Sequence, residues 1–211
     1  MGPQLTVRMG GGHMDQMMTG VRRFAQWGLW FGGALILLAA ILIGIDVLMR
    51  KFLARSIGGA DELAGYALAI GTAWGLGAAL LDRAHIRIDS LYVFFPQKLR
   101  LFFDVMALIL LVGFFALMTW HGWGVVTQSW TSGSRSQSAL ETPTIIPQAL
   151  WIVGLAVFVA VGALLLLQAL RLAALGDLRR TARLISTRSA EEEVEDEIRD
   201  LKDRQTREGN G

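Results

Sequence analysis

Trp27-Gly-Leu-Trp-Phe-Gly-Gly-Ala-Leu-Ile-Leu-Leu-Ala-Ala-Ile-Leu-Ile-Gly-Ile-Asp-Val-Leu48 is a long, almost wholly apolar run. It carries one charge, Asp46, near its end. A bilayer's hydrocarbon core of about 30 Å needs about 20 helical residues at ~1.5 Å each, and this stretch meets that length. Three further blocks do the same. Leu63 to Leu81 is free of charge, the block from about Leu101 to Val126 holds Asp104 in its first turn and His121 near its far end, and Ala149 to Leu170 is again uncharged. Transmembrane strands are about half as long and alternate in polarity, so none of these is a strand. The expectation is an all-α integral membrane protein with four spans at about 27–48, 61–81, 101–126 and 149–170.

Composition agrees. The chain has 211 residues, 53% of them apolar and only 18% charged, against roughly 25% charged in an ordinary soluble domain. Grouped into four long blocks, such residues exclude a soluble enzyme and a disordered chain. The absence of cysteine excludes a disulfide scaffold, a thiolate zinc site, an iron–sulfur cluster and a cysteine nucleophile. Arg22 and Arg23 precede the first block as in a signal peptide, but the apolar run exceeds the usual ~7–15 residues, which predicts an uncleaved anchor. Residues 1–21 read as a flexible leader, 22–172 as the membrane domain and 173–211 as a charged cytoplasmic tail.

Lys and Arg near span ends set orientation. One side collects Arg22, Arg23, Arg83, Arg87, Lys98, Arg100, Arg171, Arg179, Arg180 and Arg183; the other has Arg50, Lys51, Arg55 and Arg135. Both termini are therefore expected in the cytoplasm. Asp46, Asp61 and Glu62 offset the basic first outer loop. Tryptophans 120, 123, 130 and 151 gather where spans three and four meet the outer interface, which suits indole rings. Trp27 and Trp30 mark the inner end of span one, and Trp74, at mid-span, is expected to pack on another helix. The bases flank apolar blocks without forming a patch, which argues against nucleic-acid binding.

Residues 49–60 and 90–100 alternate basic and bulky apolar side chains, as interfacial segments do. The outer loop 127–147 is rich in Ser, Thr and Gly and is expected to hold little structure of its own. In the tail, Val194, Ile198 and Leu201 recur at helical spacing behind Glu191-Glu192-Glu193, predicting a solvated charged helix.

The central turns of all four spans contain no ionisable residue, and such residues are the usual mark of an ion or substrate path. Asp46 and Asp104 sit near interfaces, where a charge is expected to reach water at low cost. His85 and His121 lie at opposite membrane faces, so a haem held by two histidines does not fit, and no cofactor or metal is expected. What the spans do offer is small residues: Gly28 and Gly32 in span one, Gly71 and Gly75 in span two, Ala156 and Ala160 in span four. Such pairs let helices approach closely in lipid. They predict a packed bundle that serves as a scaffold or as a subunit of something larger, and the alternative is a stand-alone, self-oligomerising structural protein.

One ordered set of residues goes further. Arg50-Lys51-Phe52 closes span one; Asp61-Glu62-Leu63-Ala64 and Tyr66 open span two; Gly71 and Gly77 lie within it; Ala84-His85-Ile86-Arg87-Ile88-Asp89 follows it, and then Leu91, Pro96 and Leu99-Arg100. This set resembles the DctQ-type small permease subunit of tripartite ATP-independent periplasmic (TRAP) transporters over roughly residues 22–172. The departures are Lys51, a longer serine-rich outer loop and a longer acidic tail. The resemblance implies a non-enzymatic subunit of the bacterial inner membrane. It would brace a large permease subunit that moves an organic acid with sodium, in partnership with a periplasmic substrate-binding protein and membrane lipids. It marks Arg50, Glu62, His85, Arg87 and Asp89 as subunit-interface or topology residues, beside the packing glycines Gly71 and Gly75. Glu62 is expected to pair with Arg50 or Arg55, and His85 with Asp89 across one helical turn.

Overall fold

The computed structural model describes residues 12–82, 95–175, 198 and 201. Four helices carry the fold: α1 (Gly12–Leu53), α2 (Ala60–Leu81), α3 (Gln97–Ser132) and α4 (Ile145–Ala174). Each is long and apolar enough to cross a membrane. At ~1.5 Å per residue, the 42 residues of α1 make about 63 Å of helix and the 36 of α3 about 54 Å. Both helices therefore run past the hydrocarbon core. α1 is helical from Gly12, so the helix begins within the stretch read as the leader.

The chain divides into two compact units, Met1–Asp82 with Ile109–Leu164, and Arg83–Leu108 with Leu165–Gly211. In the first, α1 presents to α2 a narrow seam of buried residues that includes Ala25, Gly28, Gly32 and Asp46. The spacing of three and four keeps one edge of the helix facing its neighbour. A methyl group at Gly28 would stand 2.9 Å from the Trp74 carbonyl oxygen, and one at Gly71 would stand 2.8 Å from that of Gly32. Backbone meets backbone here, so only glycine fits. Both glycine pairs read from the sequence are thus used inside the chain, although Gly75 makes only ordinary contact with Leu29, at 3.7 Å. By contrast, Ala156 and Ala160 of α4 are exposed and take no part in this packing.

Trp74 binds α2 to its neighbours on both sides. Its ring lies edge-on to Phe31 of α1, with centroids 5.4 Å apart, and its indole N–H donates to the Leu150 carbonyl of α4 at 2.9 Å. Gly154 of α4 leaves room for Ala73 and the Trp74 ring. Ala73, Val126, Ile152 and Leu155 form a buried cluster beneath Phe115 and Trp151. Phe115 of α3 and Phe158 of α4 bring their ring centroids to 4.5 Å, and Gly122 of α3 admits Ile152 and Trp151.

In the second unit, Arg100 Nε donates to the Phe95 carbonyl at 2.7 Å and Phe95 lies against Phe103. Leu101, Asp104 and Leu108 form the buried edge of α3 there, and Leu165 and Ala169 are buried on α4. The expected charged tail helix falls outside the described residues, apart from Ile198 and Leu201, which are helical and about half exposed.

The ends of the helices have identifiable causes. Beyond Leu53, Ala54 takes a left-handed φ of 51° and Gly58 and Gly59 follow at 67° and 84°, reversing the chain into α2. At the end of α3, Gly133 is left-handed; its N–H meets the Trp130 carbonyl, and the Ser134 N–H meets that of Ser129. This double closure satisfies the last carbonyls of α3.

Gly32→Val is predicted to lower stability by about 1–3 kcal/mol through overpacking. Gly33→Val, one residue on and facing open space, should stay within about 0.5 kcal/mol of the parent. Unfolding titrations in mixed micelles measure both.

Candidate functional site

The polar chemistry of the first unit lies where α1, α2 and the two intervening loops meet. Asp46 stands on the α1 seam, 0% exposed. Its Oδ1 accepts the Ser56 hydroxyl at 2.9 Å and the Ile57 backbone N–H at 2.7 Å. Its Oδ2 has no hydrogen-bond partner but forms an ion pair with Arg50, one turn on. Arg50 also reaches exposed Asp61, at 3.5 Å. One buried carboxylate therefore fixes the turn at residues 54–59 and positions a cation between two acids. The proximity of Asp46 to a membrane face did not leave it in water: the loop folds back and supplies the hydrogen bonds that water would otherwise give, as a buried charge requires.

Glu62 does the same for the other loop. It accepts the Tyr66 hydroxyl at 2.7 Å through one oxygen and the Ser138 hydroxyl through the other. Its expected partner, Arg50 or Arg55, is not what it binds: Arg50 is held by Asp46 and Asp61, and Glu62 faces the serine loop. Residues 133–144 are correspondingly ordered, against the expectation from composition. Arg135 and Pro143 form an antiparallel bridge, Ser136 N–H donates to Thr142 O at 2.9 Å and Thr144 N–H donates to Ser134 O at 3.1 Å. The same serines that suggested a floppy segment satisfy its backbone. Ser136 and Ser138 hydroxyls accept the Ser138 and Leu140 N–H groups, a known habit of serine in turns. The two loops also touch, since Leu140 packs where a side chain at Gly59 would be.

Of the residues singled out from the sequence, Arg50, Glu62 and Gly71 lie in this first unit with structural partners, and Gly75 lies beside Leu29. His85, Arg87 and Asp89 lie outside the described residues. Sequence reasoning missed the roles of Ser56, Tyr66 and Ser138. The i, i+4 spacing of Glu62 and Tyr66 was a readable signal for one of them; the other two come from residues distant in the chain. Asp46 and Glu62 are each occupied in holding a loop, which suits the arrangement to shaping a surface.

Asp46→Ala, which removes the acceptor, should free the 54–59 turn, and Ser138→Ala should loosen residues 134–142 while leaving the first turn unchanged. Amide hydrogen exchange of Ile57 and of Leu140 is expected to accelerate in the respective variant only.

No curated protein and no solved structure matches the chain. Residues 39–172, more than half of the 211, match the family model described as "Tripartite ATP-independent periplasmic transporters, DctQ component". Four membrane-length helices accompany that match, and the chain belongs to the DctQ family, the small-subunit component of TRAP transporters.

Proposed function

We propose that this multi-pass membrane chain braces the large permease subunit of a TRAP transporter and supports the sodium-driven, binding-protein-dependent uptake of an organic acid. Its residues 22–172 would form the membrane domain, in the bacterial inner membrane. Residues 1–21 and 173–211 would extend from it into the cytoplasm. The observation that carries this reading is the placement of charge. The spans are without ionisable side chains at their centres, and the carboxylates at one end, Asp46 and Glu62, are committed to loops. A chain built this way supplies rigid apolar surface and no path for an ion. Further support comes from the little that α1 and α3 bury within the chain, 11% and 22% of their most apolar stretches. A broad apolar face remains on each for lipid or for a second membrane protein.

The exposed Ala156 and Ala160 of α4 favour a second reading, a scaffold that associates with itself through close helix approach. Affinity purification from native membranes in mild detergent distinguishes the two. Recovery of a large polytopic permease at a fixed ratio is expected; recovery of homo-oligomers alone would favour the second reading. Orientation is testable in the same membranes, because the chain has no cysteine of its own. Gln137→Cys is expected to react with an impermeant maleimide in intact spheroplasts, and Arg100→Cys only after lysis.

A further inference from the structure

Near the N-terminal end of α1, Arg23, Gln26, Trp27 and Trp30 line an open cleft of about 350 Å³. Trp27 and Trp30 are 77% and 80% exposed. At about 100° per residue, this face lies opposite Ala25, Gly28 and Gly32, which are turned toward α2. The cleft also precedes residue 39, where the match to the DctQ family begins.

The sequence has no acid between Asp15 and Asp46, and among the described residues neither Arg22 nor Arg23 is paired with an acid. Arg23 stands one helical turn, about 6 Å, outside Trp27, where the apolar run begins. That places guanidinium at headgroup depth and indole at the level of the glycerol and carbonyl groups, the depth indoles prefer. Further along the same side of the helix, Gly33, Leu37, Ile41 and Gly44 are exposed, and neither glycine would meet an atom within 4 Å if it bore a methyl. The result is a shallow apolar track leading away from a cationic head.

We propose that this cleft and track bind one anionic phospholipid. Arg22 and Arg23 meet its phosphate, which suits the flat, multiply donating guanidinium. The Gln26 amide donates to a headgroup or ester oxygen, the two indoles flank the glycerol, and an acyl chain lies along Gly33 to Gly44. A zwitterionic lipid brings its own cation to the arginines, so discrimination of roughly fivefold per arginine is expected.

The test uses the full chain in nanodiscs containing brominated phosphatidylglycerol or brominated phosphatidylcholine, whose acyl chains quench tryptophan on contact. The emission that disappears in Trp27→Phe/Trp30→Phe reports this site. Its quenching should require a many-fold lower fraction of phosphatidylglycerol than of phosphatidylcholine. R22Q/R23Q should abolish that preference, and R22K/R23K should retain most of it, which separates lost charge from lost fold. Excess inorganic phosphate should leave it unchanged. Equal quenching by the two lipids in the parent chain overturns the proposal, and so does displacement by free phosphate. Protection of this emission from both lipids when the large permease is co-reconstituted also overturns it, since that result makes the face a contact between proteins.

Discussion

The close approach of α1 and α2 at Gly32 and Gly71 is the contact on which the rest of the first unit depends. Apolar surface gains nothing by leaving lipid for another apolar surface, so helices in a bilayer associate through packing and hydrogen bonds. At this crossing the carbonyl oxygen of each glycine lies where the other would carry a side chain. With α1 set at that distance, Phe31 reaches the Trp74 ring, and Trp74 in turn spends its N–H on the Leu150 carbonyl of α4. The indole is thus paired within the protein and not left with an orphan donor in hydrocarbon, a costly state.

The 54–59 turn joins the same two helices, and the carboxylates that hold both loops stand on them. Asp46 belongs to the buried seam and also anchors the turn through Ser56 and Ile57. Glu62, in the first turn of α2, reaches the second loop through Ser138. Two backbone positions that L residues rarely adopt, Ala54 at φ 51° and Glu141 at φ 46°, occur one in each loop. Strained positions of this kind persist where surrounding contacts over-determine them, and each loop has a carboxylate anchored on a helix to do so. Ordered loops and uncharged helix centres accord with the proposed role of holding other components in place.

The helices, their number and their approximate spans were legible in the sequence, because twenty apolar residues in a row have one low-energy arrangement in a bilayer. The glycine pairs and the partnering of Trp74 were legible for the same reason: local spacing placed them on a face. The loop chemistry was not. Asp46 looked like a charge at the water's edge, and Glu62 looked like a partner for Arg50. Their actual partners are serines and a backbone amide contributed by folding of the loops, and no local pattern announces which serine will return to which carboxylate. The serine-rich loop misled in the opposite direction, since residues that solvate a flexible chain also cap tight turns. Ala156 and Ala160 have the right spacing for close packing but face outward, because spacing alone does not say which neighbour a face meets.

The central claim is that this chain is structural support for a transport machine and moves no solute itself. Proteoliposomes with an imposed sodium gradient test it directly, with labelled organic acid and the cognate binding protein outside. Accumulation is predicted only when the large permease and this chain are both present, and none is predicted with this chain alone. Accumulation by this chain alone would contradict the account, as would undiminished uptake by the large permease in its absence.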